Sequence, residues 1–553
     1  MTGRKGIGGT MTVVIIIAVV MFNVLAYTVT NAFQLYLYSP QKDDLSISGN
    51  TDALFEDAIK IGKKVTITFC YTEEKLETHS TGSYVLETAR NFAERYPEFI
   101  ELKFVNLLTK RYDDKESKIA PLDNYCSVVC RNDVDTNPSD DVTKECGNVM
   151  RTSDVVYENG KPVCTKCHSE ILDYKNNIVR NFAQNSIIFE TGTYGSSDFS
   201  YRVLTDRSTS TGFSDFYTLD ASGNVMAYNG EEVMAAMISW ILQKDHPVAY
   251  FTQNHGETAD IAFSNLLTCA GYYVEVINLR KQEIPTDAGL LVISNPTTDF
   301  DRSDDDANFR GEINKIEAYL EGGGKLYVAI DPYVKQLTNL ENMLTKWGIT
   351  VSGGTTDDGA YLRDVVRDNN QAITPDGYSF VAKMAENDVA DKIGDKMVEY
   401  GASGEVLLSS VVRLKLDRDK GAQPLLVSGK SSSTHRGEER TDNEGGYAVA
   451  AYSERTEKTG KTSTVFVLPT AYITATDAFL SENYSNKDFL YSTLEVLFDS
   501  NSAPRGCNQI NYIAQRLEGM TMGRARLYTA IILMLPTALA VVGVITIIRR
   551  KNR

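Results

Sequence analysis

The stretch that decides the fold runs from His246 to Pro332, and its opening reads PVAYFTQNHGE (residues 247–257). A short apolar strand therefore leads directly into a tight polar turn. Apolar side chains then recur at helical spacing between residues 259 and 270, and Gly271 follows where a helix C-terminal cap is expected. This pattern predicts one strand, one turn and one helix in succession.

The remainder of the stretch continues the alternation of strand and helix. The predicted elements are strand 272–279, strand 290–294, helix 312–320 and strand 325–330. The run LLVI at 290–293 is apolar at every position, as in strands that are buried on both faces. We therefore predict an α/β fold with open parallel-sheet domains of flavodoxin-like or amidotransferase-like type, in which residues 246–335 form the central domain.

The turn after the first strand is the candidate site for a ligand or partner, because such folds bind ligands beyond the carboxyl ends of their strands. It contains Asn254, His255, Gly256 and Glu257. His255 and Glu257 could form an acid/base pair, whereas the structural alternative is a turn that caps the next helix. A hydrolase on this scaffold needs a nucleophile on a sharp strand-to-helix turn, but the predicted strand at 290–294 is followed by NPTT without a cysteine. We therefore predict no catalytic residues and no bound cofactor.

Two uncharged apolar segments lie near the ends of the chain, at residues 11–30 and 527–548. Each is long enough for a transmembrane helix, and a cleaved signal peptide is the alternative for the first. Basic residues in the short tails 1–10 and 549–553 predict that both tails are cytosolic. The sequence thus predicts a two-span protein of the cell membrane, in contact with lipid, with its bulk outside the cytoplasm.

The other segments predict further α/β structure. The expected parts are a first α/β unit at 31–120, a cysteine-rich insert at 121–170, a connecting β/α region at 171–245 and a C-terminal α/β region with long loops at 336–520. The formal net charge of −17 argues against nucleic-acid binding. The tripeptides GKS at 429–431 and GKT at 460–462 lack the upstream glycine of a phosphate loop, so we expect no bound ATP.

The cysteine-rich insert contains five of the eight cysteines: Cys126, Cys130, Cys146, Cys164 and Cys167. Their spacing would suit a zinc ion, for which His168 could be a further ligand. Disulfides would be expected outside the cytoplasm, and free thiols are the third alternative. The sequence leaves these alternatives open. A redox site at Cys70 is not expected, because Glu73 stands where the second cysteine of a C-x-x-C motif would be.

The order of several short motifs resembles the GldG-like auxiliary component of ABC transporters, over nearly the full length. The residues that carry the resemblance are Asn23 in the first apolar segment, Asp44-Leu-Ser-Ile47, Gln253-Asn-His-Gly-Glu257, Ile284-Pro285, Gly323 to Pro332, Leu340 to Ile349 and Arg549-Arg550. Asn254 replaces the usual glycine of the turn, and the cysteine-rich insert is not a feature that we associate with the family. The resemblance implies a non-catalytic partner of a separate ATPase subunit and a permease.

The leading functional prediction is therefore a membrane-anchored, extracytoplasmic auxiliary subunit of an ABC-type transport system that binds a partner or cargo. The alternatives are an ectoenzyme of hydrolase type that uses His255 and Glu257, and a zinc or thiol surface protein centred on the insert.

Overall fold

The computed structural model describes most of the chain between residues 45 and 512. The described residues are 45–105, 126–132, 146–151, 155–204, 213–219, 224–257, 260–303, 311–456, 460–512 and 549. Within these ranges, residues 173, 175–176, 181–185, 194–195 and 482 are not described. The predicted spans at 11–30 and 527–548 lie outside these ranges. Among the described residues, no helix combines the length and the apolar character that crossing a bilayer requires. This finding contradicts the prediction of a two-span protein and, with it, the predicted localisation in the cell membrane.

The first unit is a four-stranded mixed sheet covered by helices. Its elements and those of the insert are α1 (Asp52–Lys60), β1 (Val65–Phe69), α2 (Glu73–Glu77), α3 (Gly82–Arg95), β2 (Ile100–Phe104), β3 (Cys126–Val129), β4 (Val149–Arg151), β5 (Val156–Glu158), β6 (Lys161–Val163), β7 (Ile178–Arg180), β8 (Ile187–Thr191), β9 (Ser200–Leu204), β10 (Tyr217–Leu219), β11 (Val225–Tyr228) and α4 (Gly230–Leu242). The strand order is β2-β1-β8-β9, with only the β1–β2 pair parallel. Strands of the predicted connecting region thus complete the first sheet.

The insert between β2 and β8 forms its own small sheets, β4-β3-β7 and the hairpin β5-β6. Its core is small. The buried residues of that core are Val128, Cys130, Cys146, Met150, Val155, Cys164 and Ile171. A core of this size rarely stabilises a module alone, so additional cross-links or a metal are usual in such modules.

The main body is one long sheet that begins with five parallel strands. Its elements are β12 (Val248–Thr252), α5 (Ile261–Cys269), β13 (Tyr273–Ile277), β14 (Ala288–Ser294), α6 (Glu312–Glu321), β15 (Lys325–Ala329), α7 (Thr338–Lys346), β16 (Ile349–Val351), β17 (Gly353–Thr355), β18 (Tyr361–Arg363), β19 (Val365–Arg367), β20 (Ser379–Met384), α8 (Asp388–Glu399), β21 (Val406–Ser409), β22 (Leu414–Leu416), β23 (Ala422–Val427), β24 (Ser433–Arg436), β25 (Glu439–Asp442), β26 (Ala448–Thr456), β27 (Thr462–Leu468), α9 (Thr476–Phe479), α10 (Asn486–Phe498) and β28 (Ile510–Asn511). The parallel order is β13-β12-β14-β15-β27, and antiparallel strands β26, β23, β20 and β21 extend it. The mixed α/β prediction with parallel strands is confirmed.

Successive residues of β14 face opposite layers of helices. Leu290 and Val292 belong to the core under α5 and α10, whereas Leu291 and Ile293 belong to the core under α6 and α7. All four side chains are fully buried. The uniformly apolar run in the sequence therefore has the physical cause that was expected, namely burial on both faces of the sheet.

The sheet crosses the boundary that the sequence suggested at residue 335. Strand β27, at 462–468, lies parallel to β15, with Tyr327 opposite Phe466. Residues 246–335 therefore share one sheet and one core with the C-terminal region. At the other end, β28 pairs with β11 of the first unit, so the end of the described chain returns to its beginning.

Candidate functional site

The predicted turn lies between β12 and α5, at the carboxyl end of the parallel sheet. Asn254 and Gly256 both have left-handed backbone conformations, with φ of 85° and 70°. A Cβ atom at Gly256 would clash with Thr297 Oγ1 unless that side chain shifted, so space as well as conformation favours glycine. The carbonyl of His255 accepts hydrogen bonds from the amides of Thr297 and Thr298, at 2.8 and 2.9 Å. These bonds tie the turn to the loop after β14.

His255 is fully buried between two carboxylates. Its Nε2 lies 2.9 Å from Glu312 Oε2, and its Nδ1 lies 3.3 Å from Glu257 Oε1. Glu257 Oε2 also accepts the backbone N–H of His255 at 2.7 Å, and the imidazole ring stacks on Phe300 at 3.9 Å. Both ring nitrogens face carboxylate oxygens, an arrangement that favours protonation of both and therefore the imidazolium form.

The electrostatics agree with this assignment. Burial on its own would lower the pKa of His255, but the hydrogen bonds that its ring donates to Glu257 and Glu312 outweigh this effect and raise the pKa to about 9. Desolvation opposes ionisation of both glutamates as well, yet contact with the imidazolium holds the pKa of each below its ordinary value. At neutral pH these three residues therefore contribute one cation and two anions.

This arrangement is poorly suited to general-base catalysis by His255. A general base must be deprotonated at the working pH, whereas His255 holds its proton in a pair of ionic hydrogen bonds. Glu312 is also fully buried, and its Oε2 accepts the amide of Asp301 at 2.9 Å. The second oxygen of Glu312, Oε1, has no hydrogen-bond partner among the described residues and lies 3.7 Å from Arg280 Nε. The geometry is that of a structural ion cluster that links the turn to α6.

Four of the five predicted cysteines converge in the insert. The sulfur atoms of Cys130, Cys146, Cys164 and Cys167 all lie within 4.8 Å of one another. The Cys130–Cys167 and Cys146–Cys164 sulfur pairs are separated by 3.7 and 3.8 Å. A disulfide requires about 2.05 Å, so neither pair is joined by a disulfide bond. Four sulfurs at about 2.3 Å from a tetrahedral zinc ion would lie about 3.8 Å apart, which the two pairs match.

Nitrogen donors lie beside the sulfur atoms of Cys164 and Cys167. Cys164 Sγ accepts hydrogen bonds from the amide of Lys166 and from Asn148 Nδ2, both at 3.4 Å. Burial opposes ionisation of Cys164, but these donors and the contact with Cys167 lower its pKa to about 6. Asn132 Nδ2 lies 3.7 Å from Cys167 Sγ. The donors to Cys164 therefore favour its thiolate, the form that binds a metal, whereas burial raises the pKa of Cys130 and of Cys146.

The remaining cysteine of the predicted set, Cys126, begins β3, and its side chain lies outside the described part. His168, which the sequence offered as a further ligand, follows Cys167 with a φ of 53° and is not part of the sulfur cluster. Cys70 is buried at the end of β1, and burial raises its pKa to about 12. A thiol with this pKa is inert at neutral pH, as the missing C-x-x-C motif suggested.

Sequence analysis missed the residues that complete both clusters. Glu312 and Phe300 lie more than 40 positions from His255, so only the fold brings them together. Asn132 and Asn148 had a detectable signal, because each stands two residues after a cysteine of the cluster, in the pattern Cys-x-Asn.

Comparison with known proteins assigns no family to this chain. No protein-family model matches it, and no curated protein matches. Among solved structures, the mmIFT52 N-terminal domain is similar over 45% of this chain and 97% of its own, with a TM-score of 0.33 and 14% identity. PurLQS from Thermotoga maritima is similar over 45% of this chain and 99% of its own, with a TM-score of 0.26 and 13% identity. A cytoplasmic protein from Salmonella typhimurium is similar over 46% of this chain and 99% of its own, with a TM-score of 0.28 and 10% identity. These likenesses are too weak to carry a functional argument.

Proposed function

We propose that this protein is a non-catalytic accessory subunit of an ABC-type transport system, in which the α/β body binds a partner or cargo. The observation that carries the non-catalytic part is the burial of His255 between Glu257 and Glu312, which favours the imidazolium form. The transport association is supported by the order of motifs that resembles the GldG-like auxiliary component. The expected partners are a permease and a separate ATPase subunit.

We assign the parallel part of the long sheet to the flavodoxin-like class as part of this proposal. Its order, β13-β12-β14-β15-β27, corresponds to 2-1-3-4-5 when the parallel strands are numbered along the chain. In this class ligands bind beyond the carboxyl ends of the strands, and the His255 turn lies at these ends. A macromolecular partner could contact the surface formed by the loops there without a deep cavity.

The proposal is tested by purifying the tagged full-length chain from its native cells in a mild detergent and quantifying co-purifying proteins by mass spectrometry. We expect enrichment of one permease and one ATPase over an untagged strain. Absence of both would refute the transport association.

A His255→Gln variant distinguishes the structural role of His255 from the enzymatic alternative. A structural role predicts lower thermal stability, whereas loss of cellular function in a fully stable variant would support catalysis.

We also propose that Cys130, Cys146, Cys164 and Cys167 bind one structural zinc ion. Four protein thiolates complete a tetrahedral site and leave no open position for substrate, so the role would be structural. The small core of the insert supports this proposal, because the binding free energy of a metal adds directly to folding free energy.

The zinc proposal is tested by elemental analysis of the purified full-length chain. We expect about one zinc per chain, since four ligands make one site. Cys164→Ala should remove the zinc, and Cys70→Ala, which changes a buried cysteine outside the cluster, should retain it. Zinc content that is absent from the wild type or unchanged by Cys164→Ala would refute the assignment.

A further inference from the structure

A second feature with binding potential lies where the first unit meets the main sheet. A cavity of about 300 Å³ is lined by the start of α4, the end of α9 and residues shortly after it, the first turns of α10 and the segment 504–511. Its size falls at the lower end of small-molecule sites, and junctions between structural units are common places for them. The rim residues Gly506 and Asn508 are exposed, so the cavity reaches the surface.

The charged groups that line the cavity balance one another. Glu232 and Lys487 form an ion pair, and Tyr491 donates its hydroxyl to Glu232 at 2.9 Å. The side chain of Arg505 is fully buried, and its Nη2 lies 2.5 Å from Glu495 Oε1. Asp488 is the second lining acid. Two acids and two bases thus face the cavity, and both cations already contact protein carboxylates. An anionic ligand would therefore meet no cation that lacks a carboxylate partner. Burial raises the pKa of Asp488, which opposes the negative charge that would attract a cationic ligand.

The uncharged part of the lining is rich in groups that both donate and accept hydrogen bonds. The amide side chains are those of Asn229, Asn508, Gln509 and Asn511. Asn229 Oδ1 and Arg505 Nε are buried and have no hydrogen-bond partner within the described part of the chain. Tyr484 and Phe479 add aromatic surface. Amide groups beside aromatic rings suit a small molecule that carries several hydroxyl groups on an apolar frame.

We propose that this cavity binds a small uncharged polyhydroxylated molecule of the monosaccharide or polyol class. The lining comes from both structural units, since Asn229 and Glu232 belong to the first and Lys487 and Asp488 to the second. The bound molecule therefore bridges the two units and strengthens their contact. The site is separate from the His255 turn and from the cysteine cluster, so it stands independently of the function proposed above.

The test is isothermal titration calorimetry of the full-length chain with glucose, mannose and myo-inositol, and with glutamate, lysine and phosphate as charged probes. We expect saturable binding of at least one neutral probe with a Kd below about 1 mM, which corresponds to about −4 kcal/mol. Gln509→Trp places an indole in the cavity and should weaken that binding at least tenfold. The matched control, Gln282→Trp at an exposed position, should leave it unchanged.

Circular dichroism and thermal unfolding establish that both tryptophan variants are folded before titration. Failure of all neutral probes to bind, preference for a charged probe, or equal affinity in the wild type and Gln509→Trp would each overturn the proposal. Equal weakening in Gln509→Trp and Gln282→Trp would do so as well, because the effect would then not arise from the cavity.

Discussion

The ion cluster at the His255 turn makes a quantitative prediction about stability and pH. The pKa of His255 is raised from 6.5 to about 9, a difference that corresponds to about 3 kcal/mol of folding free energy. Because the folded pKa lies above the unfolded one, this stabilisation is fully present below about pH 6.5. It is lost progressively as the pH rises through about 9.

The informative perturbation is Glu312→Gln, which removes the charge while an amide oxygen still accepts the hydrogen bonds of His255 Nε2 and Asp301 N–H. Glu257 remains as the second partner of the imidazolium. We therefore expect about half of the coupling to disappear, a loss of roughly 1.5 to 2 kcal/mol at pH 6. At pH 10 the imidazole is neutral, so the difference between wild type and variant should shrink below about 0.5 kcal/mol.

The assay is urea unfolding followed by tryptophan fluorescence at pH 6 and pH 10. The chain has two tryptophans, and Trp347 packs in the same core as Ile313 and Ile316 of the helix that carries Glu312. A Trp240→Phe background thus gives a signal from the main sheet alone. An equal loss of stability at both pH values would refute the argument, since a charge interaction must depend on the protonation of its partner. An NMR pKa of His255 near 6.5 would refute it too.

Three further predictions concern other parts of the structure. Gly256→Ala should destabilise the protein by about 2 kcal/mol or more, because it adds a clash with Thr297 to the conformational cost. The control Gly359→Ala, at a positive φ in open space, should cost only about 1 kcal/mol. Equal losses of unfolding free energy in urea would contradict the clash. Arg363→Met should lower the free energy of unfolding by about 3 to 5 kcal/mol, because it leaves the buried carboxylate of Glu341 without its ion-pair partner. Adding Glu341→Gln should recover part of this loss. No recovery would mean that the ion pair is not the cause. Chelation of zinc should expose the insert to limited proteolysis but spare the main sheet, as mass spectrometry of the fragments would show.

The amino-acid sequence by itself determined the local elements of the parallel sheet. The helical spacing after the turn, the glycine that ends the helix and the apolar run of β14 are local patterns, and they appear as Ile261–Cys269, Gly271 and Ala288–Ser294. Such features depend on residues within a few positions of one another, so periodicity and turn chemistry suffice to predict them. The spacing of the cysteines likewise identified four residues that do converge.

Only the tertiary structure decided which distant residues meet. Strand β27 joins β15 across more than 130 residues, which removes the domain boundary expected at 335. The role of His255 changed from a candidate acid/base residue to a buried imidazolium because Glu312 approaches it from α6, 57 positions away. Burial and long-range charge pairing arise from packing and leave no local pattern in the sequence. For the same reason, the cavity between the two units could not be anticipated from the residues that line it.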